Sequence, residues 1–172
     1  NDIHWPMSMR WPLSVWNMMF LSDTPYVRDP LKSALWNRGA FLVQGPGHCG
    51  SCHTPRGIAL QEKGLDQNDS AYLTGSDISG WFAPSLRGSQ QRGLANWSQQ
   101  DMVDFLQTGQ NNRAMAFGPM REVIEQSTQY LTASDLNAIA VYLKSLSEDK
   151  TPSSDVGTAQ RGGSADNNGA GS

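Results

Sequence analysis

Cys49 and Cys52 stand three residues apart, and His53 follows the second directly. Two thiols at this spacing can add to the two vinyl groups of one haem while the next side chain reaches the iron, which is the attachment pattern of a c-type haem. The same pair could serve as a redox dithiol, a disulfide or half of a metal site. A tetrahedral zinc centre needs more soft ligands than His4, His48 and His53 easily supply beside these two cysteines. A thioredoxin-like dithiol sits in the strand-to-helix turn of a βαβ unit, and no strong strand pattern precedes Cys49. The spacing therefore favours one covalent haem, with His53 as an axial ligand of its iron.

An iron that only carries electrons needs a second axial ligand from a distant part of the chain. A thioether in that position raises the reduction potential, because soft sulfur favours Fe(II). Met115 and Met120 compete, on one stretch rich in Gly and Pro. Met120 follows Gly118-Pro119, a stiff turn, and is preferred because a rigid support fixes a ligand better. Either could instead be a methionine that fills the core. His48 lies too near the motif to reach the opposite face of the ring, and His4, beside Trp and Pro, reads as structural. The haem propionates need donors, for which Arg56, Arg87, Arg113, Trp81 and Trp97 are candidates. For each arginine a solvated surface role competes. No residue set suggests bond-making catalysis: there is no evident Ser/His/Asp arrangement and no phosphate-binding glycine loop after a strand.

These residues must be placed by the elements around them. Pro12 suits a first helical turn, and Leu13, Val15, Trp16, Met19 and Phe20 make a short apolar helix in an arm crowded with Trp and Met. It is too short to span a bilayer; it could cover its own domain, meet a partner or lie on a membrane surface. A second helix is expected over residues 31–43, opened by Pro30 and interrupted by Gly39. A glycine there costs about 1 kcal/mol against alanine and wants a reason, such as a close helix crossing. Residues 58–80 read as a polar excursion with a short extended piece around Tyr72-Leu73, followed by an apolar loop through Pro84. Ser98 with Asp101, and Thr132 with Asp135, form capping boxes for helices ending near Thr108 and Leu146, with a further helical stretch from Met120. The composition after Ser147 is that of a disordered tail or linker.

The expected organisation is an apolar arm over residues 1–29, one helical domain over 30–147 and a tail over 148–172. The net charge of −3 gives no basic footprint for nucleic acid. No run of eighteen apolar residues is present to cross a membrane. A helical domain this small has a thin core, and a bound haem would supply part of the missing apolar interior.

The order of these features resembles class I cytochrome c: a glycine-bearing helix, Cys-x-x-Cys-His, a Pro-x-Leu loop, a Trp before a capped helix, a Gly-Pro-Met turn and a final Leu/Tyr helix. The resemblance implies an all-α fold with long loops around the haem. It implies that the Pro84 carbonyl, in Ala83-Pro84-Ser85-Leu86, accepts from the ligand histidine, that Trp97 donates to a propionate, and that Gly39 meets Tyr142 where the first and last helices cross.

Longer motifs are similar to the second haem domain of the triheme cytochrome c subunit of membrane-bound alcohol, gluconate and sorbitol dehydrogenases. They are residues 47–57, Gly-Trp-Phe-Ala-Pro-Ser-Leu-Arg-Gly at 80–88, Phe-Gly-Pro-Met at 117–120, Ser-Thr-Gln-Tyr-Leu at 127–131, and residues 138–146. That family carries three haem motifs where this chain has one. The lack of a leader at Asn1 is read as a mature chain or an excised piece.

The resemblance implies one-electron transfer by a single haem c with His53/Met120 ligation. Cys49, Cys52, Pro84, Leu86, Arg56, Trp81 and Trp97 would surround the cofactor. The expected donor is a periplasmic quinoprotein or flavoprotein dehydrogenase, and the acceptor quinone, another haem or an oxidase. Location in the periplasm follows from where c-type attachment is completed, and a peripheral position on the outer face of the inner membrane is expected with it. The rival class is a haem-based ligand sensor or a peroxidase-like enzyme with a weak sixth ligand.

Overall fold

The computed structural model describes residues 10–21, 25–88 and 93–148. His4 and the expected tail lie outside them, apart from residue 148. Six α-helices follow in order, with one two-stranded ribbon between the third and fourth. They are α1 (Trp11–Phe20), α2 (Ala34–Gln44), α3 (Cys49–His53), β1 (Ser76–Ile78), β2 (Trp81–Ala83), α4 (Gln99–Thr108), α5 (Pro119–Gln126) and α6 (Ala133–Glu148), with a 3-10 turn at Thr128–Tyr130.

The crossing of α2 and α6 carries the core. A Cβ built on Gly39 would overlap the Ala138 carbonyl and come within 2.8 Å of Tyr142 Cβ. The glycine in mid-helix is thus required by close approach of two backbones. Trp36 meets Tyr142 edge-on at 5.1 Å and donates from its indole to Ser145 Oγ at 2.7 Å. Ala40, Val43, Leu136, Ile139, Leu143 and Leu146 fill the seam. Across its rim Arg38 pairs with Asp135 at 2.7 Å.

The start of α2 differs from expectation. The helix begins at Ala34, capped by Ser33 Oγ, which accepts from Trp36 N–H. Buried Asn37 explains why: its amide nitrogen donates to the carbonyls of Asp29, Lys32 and Ser33, and its oxygen accepts from Asp29 N–H and Tyr26 Oη. These bonds hold residues 29–33 as a turn. Tyr72 and Leu73 are not extended either. They are buried in a turn, Leu73 at φ +57°. The extended pieces are β1 and β2, paired antiparallel from Ser76 opposite Ala83 to Ile78 opposite Trp81.

The expected box at Ser98 forms in full, and the one at Thr132 forms in its side-chain arm, with the Asp135 carboxylate turned to Arg38 instead. Ser98 Oγ accepts from Asp101 N–H while the Asp101 carboxylate accepts from Ser98 N–H; Thr132 Oγ1 accepts from Asp135 N–H at 3.1 Å. Helix α1 buries none of its residues, and its Trp16 indole donates to the Ala59 carbonyl at 2.7 Å. Among the described residues no helix is long and apolar enough to cross a membrane.

Candidate haem site

Cys49, Cys52 and His53 share one short helix, α3, which begins after His48 in the left-handed region at φ +46°. Gly47 turns the chain into it; a Cβ there would stand 2.7 Å from the Leu42 carbonyl. Both cysteines are free thiols. Loss of water around its sulfur pushes the Cys49 thiol up to about 12.

His53 is buried. Its Nδ1 lies 2.7 Å from the Pro84 carbonyl. A carbonyl only accepts, so Nδ1 carries the proton and Nε2 keeps its lone pair, the form an imidazole needs to bind a metal. Burial pulls the imidazole below its ordinary pKa, against the opposing bond to Pro84. The histidine's own carbonyl accepts from Gly75 N–H at 2.7 Å. Next to it, Thr54 is fully buried and its Oγ1 accepts from Leu73 N–H at 3.0 Å. The chain from residue 66 to 75 therefore closes back on α3. Leu86 N–H bonds to the Leu73 carbonyl, and its half-buried side chain packs on the core.

The second candidate ligand sits on other elements. Met120 is half-buried in the first turn of α5, behind Gly118 at φ +56° and Pro119. Met115 is 64% exposed, on the loop where it bridges to Gln110. Trp81 in β2 ties the two halves together. Its ring covers Gly118, where a Cβ would come within 2.8 Å, and meets Phe117 at 5.9 Å. Three residues on, Pro84 holds His53.

The candidate propionate donors divide. Arg56 donates to the carbonyls of Ser51 and Leu60 at 2.9 and 2.7 Å, bracing the haem-motif helix. Arg113 pairs with Asp101 at 3.1 Å. Arg87 donates to the Gln67 and Asp69 carbonyls while its Nε is buried without a hydrogen-bond partner among the described residues. Trp97 is half-buried, edge-on to Phe105 at 5.2 Å, and its carbonyl accepts from Lys144. Thr54, Gly75 and Asn37 went unnoticed in the sequence, where nothing separates them from ordinary polar and turn residues.

The donor set fits a c-type haem. Two unpaired thiols lie on one helical turn, an imidazole keeps Nε2 for a metal, and a thioether follows a stiff turn. A family model of cytochrome c matches residues 37–147. The chain belongs to the cytochrome c family. Membership implies a covalently bound c-type haem, and the helical architecture is that of a class I cytochrome c. The cytochrome c subunit of a quinone alcohol dehydrogenase from Gluconacetobacter polyoxogenes is 50% identical over 148 residues, covering 84% of this chain and 32% of that protein. The cytochrome c subunit of gluconate 2-dehydrogenase from Pantoea cypripedii is 48% identical over 155 residues, 85% of this chain and 34% of that protein. The cytochrome subunit of fructose dehydrogenase from Gluconobacter japonicus is 42% identical over 147 residues, 85% of this chain and 29% of that protein. This cytochrome c chain thus spans about a third of the length of these relatives.

Proposed function

We propose that this domain relays single electrons through one haem c, from a periplasmic quinoprotein or flavoprotein dehydrogenase to quinone, another haem or an oxidase. The observation that carries the reading is the His53–Pro84 hydrogen bond, which leaves Nε2 for iron on the helix that carries both thiols. The names of the relatives, subunits of alcohol, gluconate and fructose dehydrogenases, support the kind of donor. The bound haem would supply a one-electron couple. Cys49 and Cys52 would hold it, His53 and Met120 would ligate its iron, and Pro84 orients the imidazole. Met120 is favoured over Met115 because it lies in a helical first turn and is half-buried. Trp81 positions the turn before Met120, and Arg56 braces α3. Leu86 and Trp97 line the apolar interior. The exposed apolar helix α1 suits contact with another subunit or a membrane surface.

The test is the oxidised-state spectrum of the haem-loaded protein. A methionine–iron charge-transfer band is expected, lost in Met120→Ala and kept in Met115→Ala. Loss in Met115→Ala alone would move the ligand. Rapid CO binding by the reduced wild-type protein would favour a sensor or peroxidase-like enzyme. Release of the haem by acid–acetone would overturn covalent attachment. A dehydrogenase recovered with the protein from its native membrane would identify the donor.

A further inference from the structure

Glu62 lies in the polar stretch that follows the haem motif, where an acid reads as part of a solvated face. The fold puts it elsewhere. Its Oε2 stands 2.5 Å from where a Cβ would be on Gly50, and its Cδ stands 3.5 Å from it. Gly50 is buried between the two haem-anchoring cysteines on α3. The half-buried carboxyl thus packs on the backbone of the helix that carries the cofactor. Residues 56 and 62 pair as an antiparallel bridge, which keeps it there.

The arrangement leaves that charge poorly compensated. Arg56 is the nearby cation, but its guanidinium is directed to the Ser51 and Leu60 carbonyls. None of the ion pairs among the described residues includes Glu62. Burial raises its carboxyl above the ordinary range, while the charges of Arg56 and His48 pull it back. The other groups facing this space are Tyr72, itself raised in part by Glu62, and Cys49, which becomes a thioether once haem is attached. Lys63 follows in sequence, its backbone bonded to the Pro55 carbonyl.

We propose that Glu62 is a redox-linked proton site, binding a proton from solvent as the haem gains an electron and releasing it as the electron leaves. This rests on the haem reading above. The extra negative charge on the reduced haem disfavours a nearby carboxylate, and the linkage is reciprocal, so protonation of Glu62 favours reduction. One O–H bond forms at the carboxylate with a proton from water. The electron comes from and returns to the haem's own redox partners, so no other reactant is needed.

The test is a spectroelectrochemical titration of the haem-loaded protein between about pH 4 and 8, which brackets a raised carboxyl. The wild-type midpoint potential should fall as pH rises through the Glu62 titration, reporting a proton affinity about fivefold or more greater in the reduced state. Glu62→Gln should flatten that segment and hold the potential near its acid value. Glu62→Asp should keep a slope. Gly50→Ala, which displaces the carboxylate but keeps its charge, should weaken the slope and stands in if Glu62→Gln fails to load haem. A protonated-carboxyl band in the reduced-minus-oxidised infrared difference spectrum should vanish in Glu62→Gln. Equal slopes in wild type and Glu62→Gln, with intact haem spectra, would overturn the proposal and leave the electron-carrier reading standing. A wild-type chain without covalent haem would overturn that reading instead.

Discussion

His53 is fastened at both ends, whereas Met120 is positioned by the short turn before it. The imidazole is bonded to Pro84 and the His53 carbonyl to Gly75, and the neighbouring Thr54 is sealed by Leu73. By contrast, residues 109–118 are held mostly by local bonds. Ala116 N–H reaches the Gly109 carbonyl, and the Asn111 side chain accepts from Arg113 and Ala114 N–H and donates to the Asp101 carbonyl. Met115 and Phe117 are exposed. The histidine side is tied into the core by long-range bonds, so its geometry is over-determined. The methionine side is a loop on a rigid mount, the kind of segment that opens at low free-energy cost. With the ligation proposed above, the contact from Met120 should be lost well before that from His53.

Four changes would break or sharpen that contrast. The largest effect belongs to the crossing that both sides share. Gly39→Val should cost about 3–5 kcal/mol, because α2 and α6 must separate to admit the side chain. A denaturant-unfolding loss below about 1 kcal/mol would contradict the close approach. On the histidine side, Thr54→Val leaves the buried Leu73 N–H unpaired and should cost about 1–3 kcal/mol. On the methionine side, Asn111→Ala should cost about 1 kcal/mol or less, since its bonds are local and near water. If the Asn111 change proved the more damaging, the comparison would be reversed.

The smallest effect is a pH dependence at the start of α4. The Ser98 backbone N–H, more than the Ser98 hydroxyl or Arg113, holds the Asp101 carboxyl below its ordinary range. A depressed carboxyl stabilises the fold above its unfolded pKa of about 3.9, and that contribution disappears as pH falls through the lower folded value. Amide exchange at residues 99–102 should therefore quicken only at strongly acidic pH, ahead of exchange in α6. A loss beginning near neutral pH would rule Asp101 out as its cause.

How far the sequence could be read depended on distance along the chain. The haem motif, the two capping boxes and the Gly118-Pro119 turn are local, and the structure shows the Ser98 box, the side-chain arm of the Thr132 box and the turn where they were expected. Gly39 declared a close approach without naming what approached; the resemblance named Tyr142. The Asn37 turn escaped because its bonding depends on a tertiary environment that makes a buried amide worth satisfying. The β1–β2 ribbon escaped because its short strands lack a clean period, and Trp81 and Phe82 read as an apolar loop.

The sequence by itself determined which atoms could hold a cofactor, because thioether attachment and axial ligation need particular side chains at short, readable spacings. Only the tertiary structure decided which charges surround those atoms, and it makes the Pro84 contact that the resemblance implied and no spacing records. Pro84 reaches His53 across thirty-one positions. Glu62 stands against Gly50, beside the bridge that pairs residues 56 and 62. Contacts of that range depend on how the chain closes on itself, and no spacing along the chain records it.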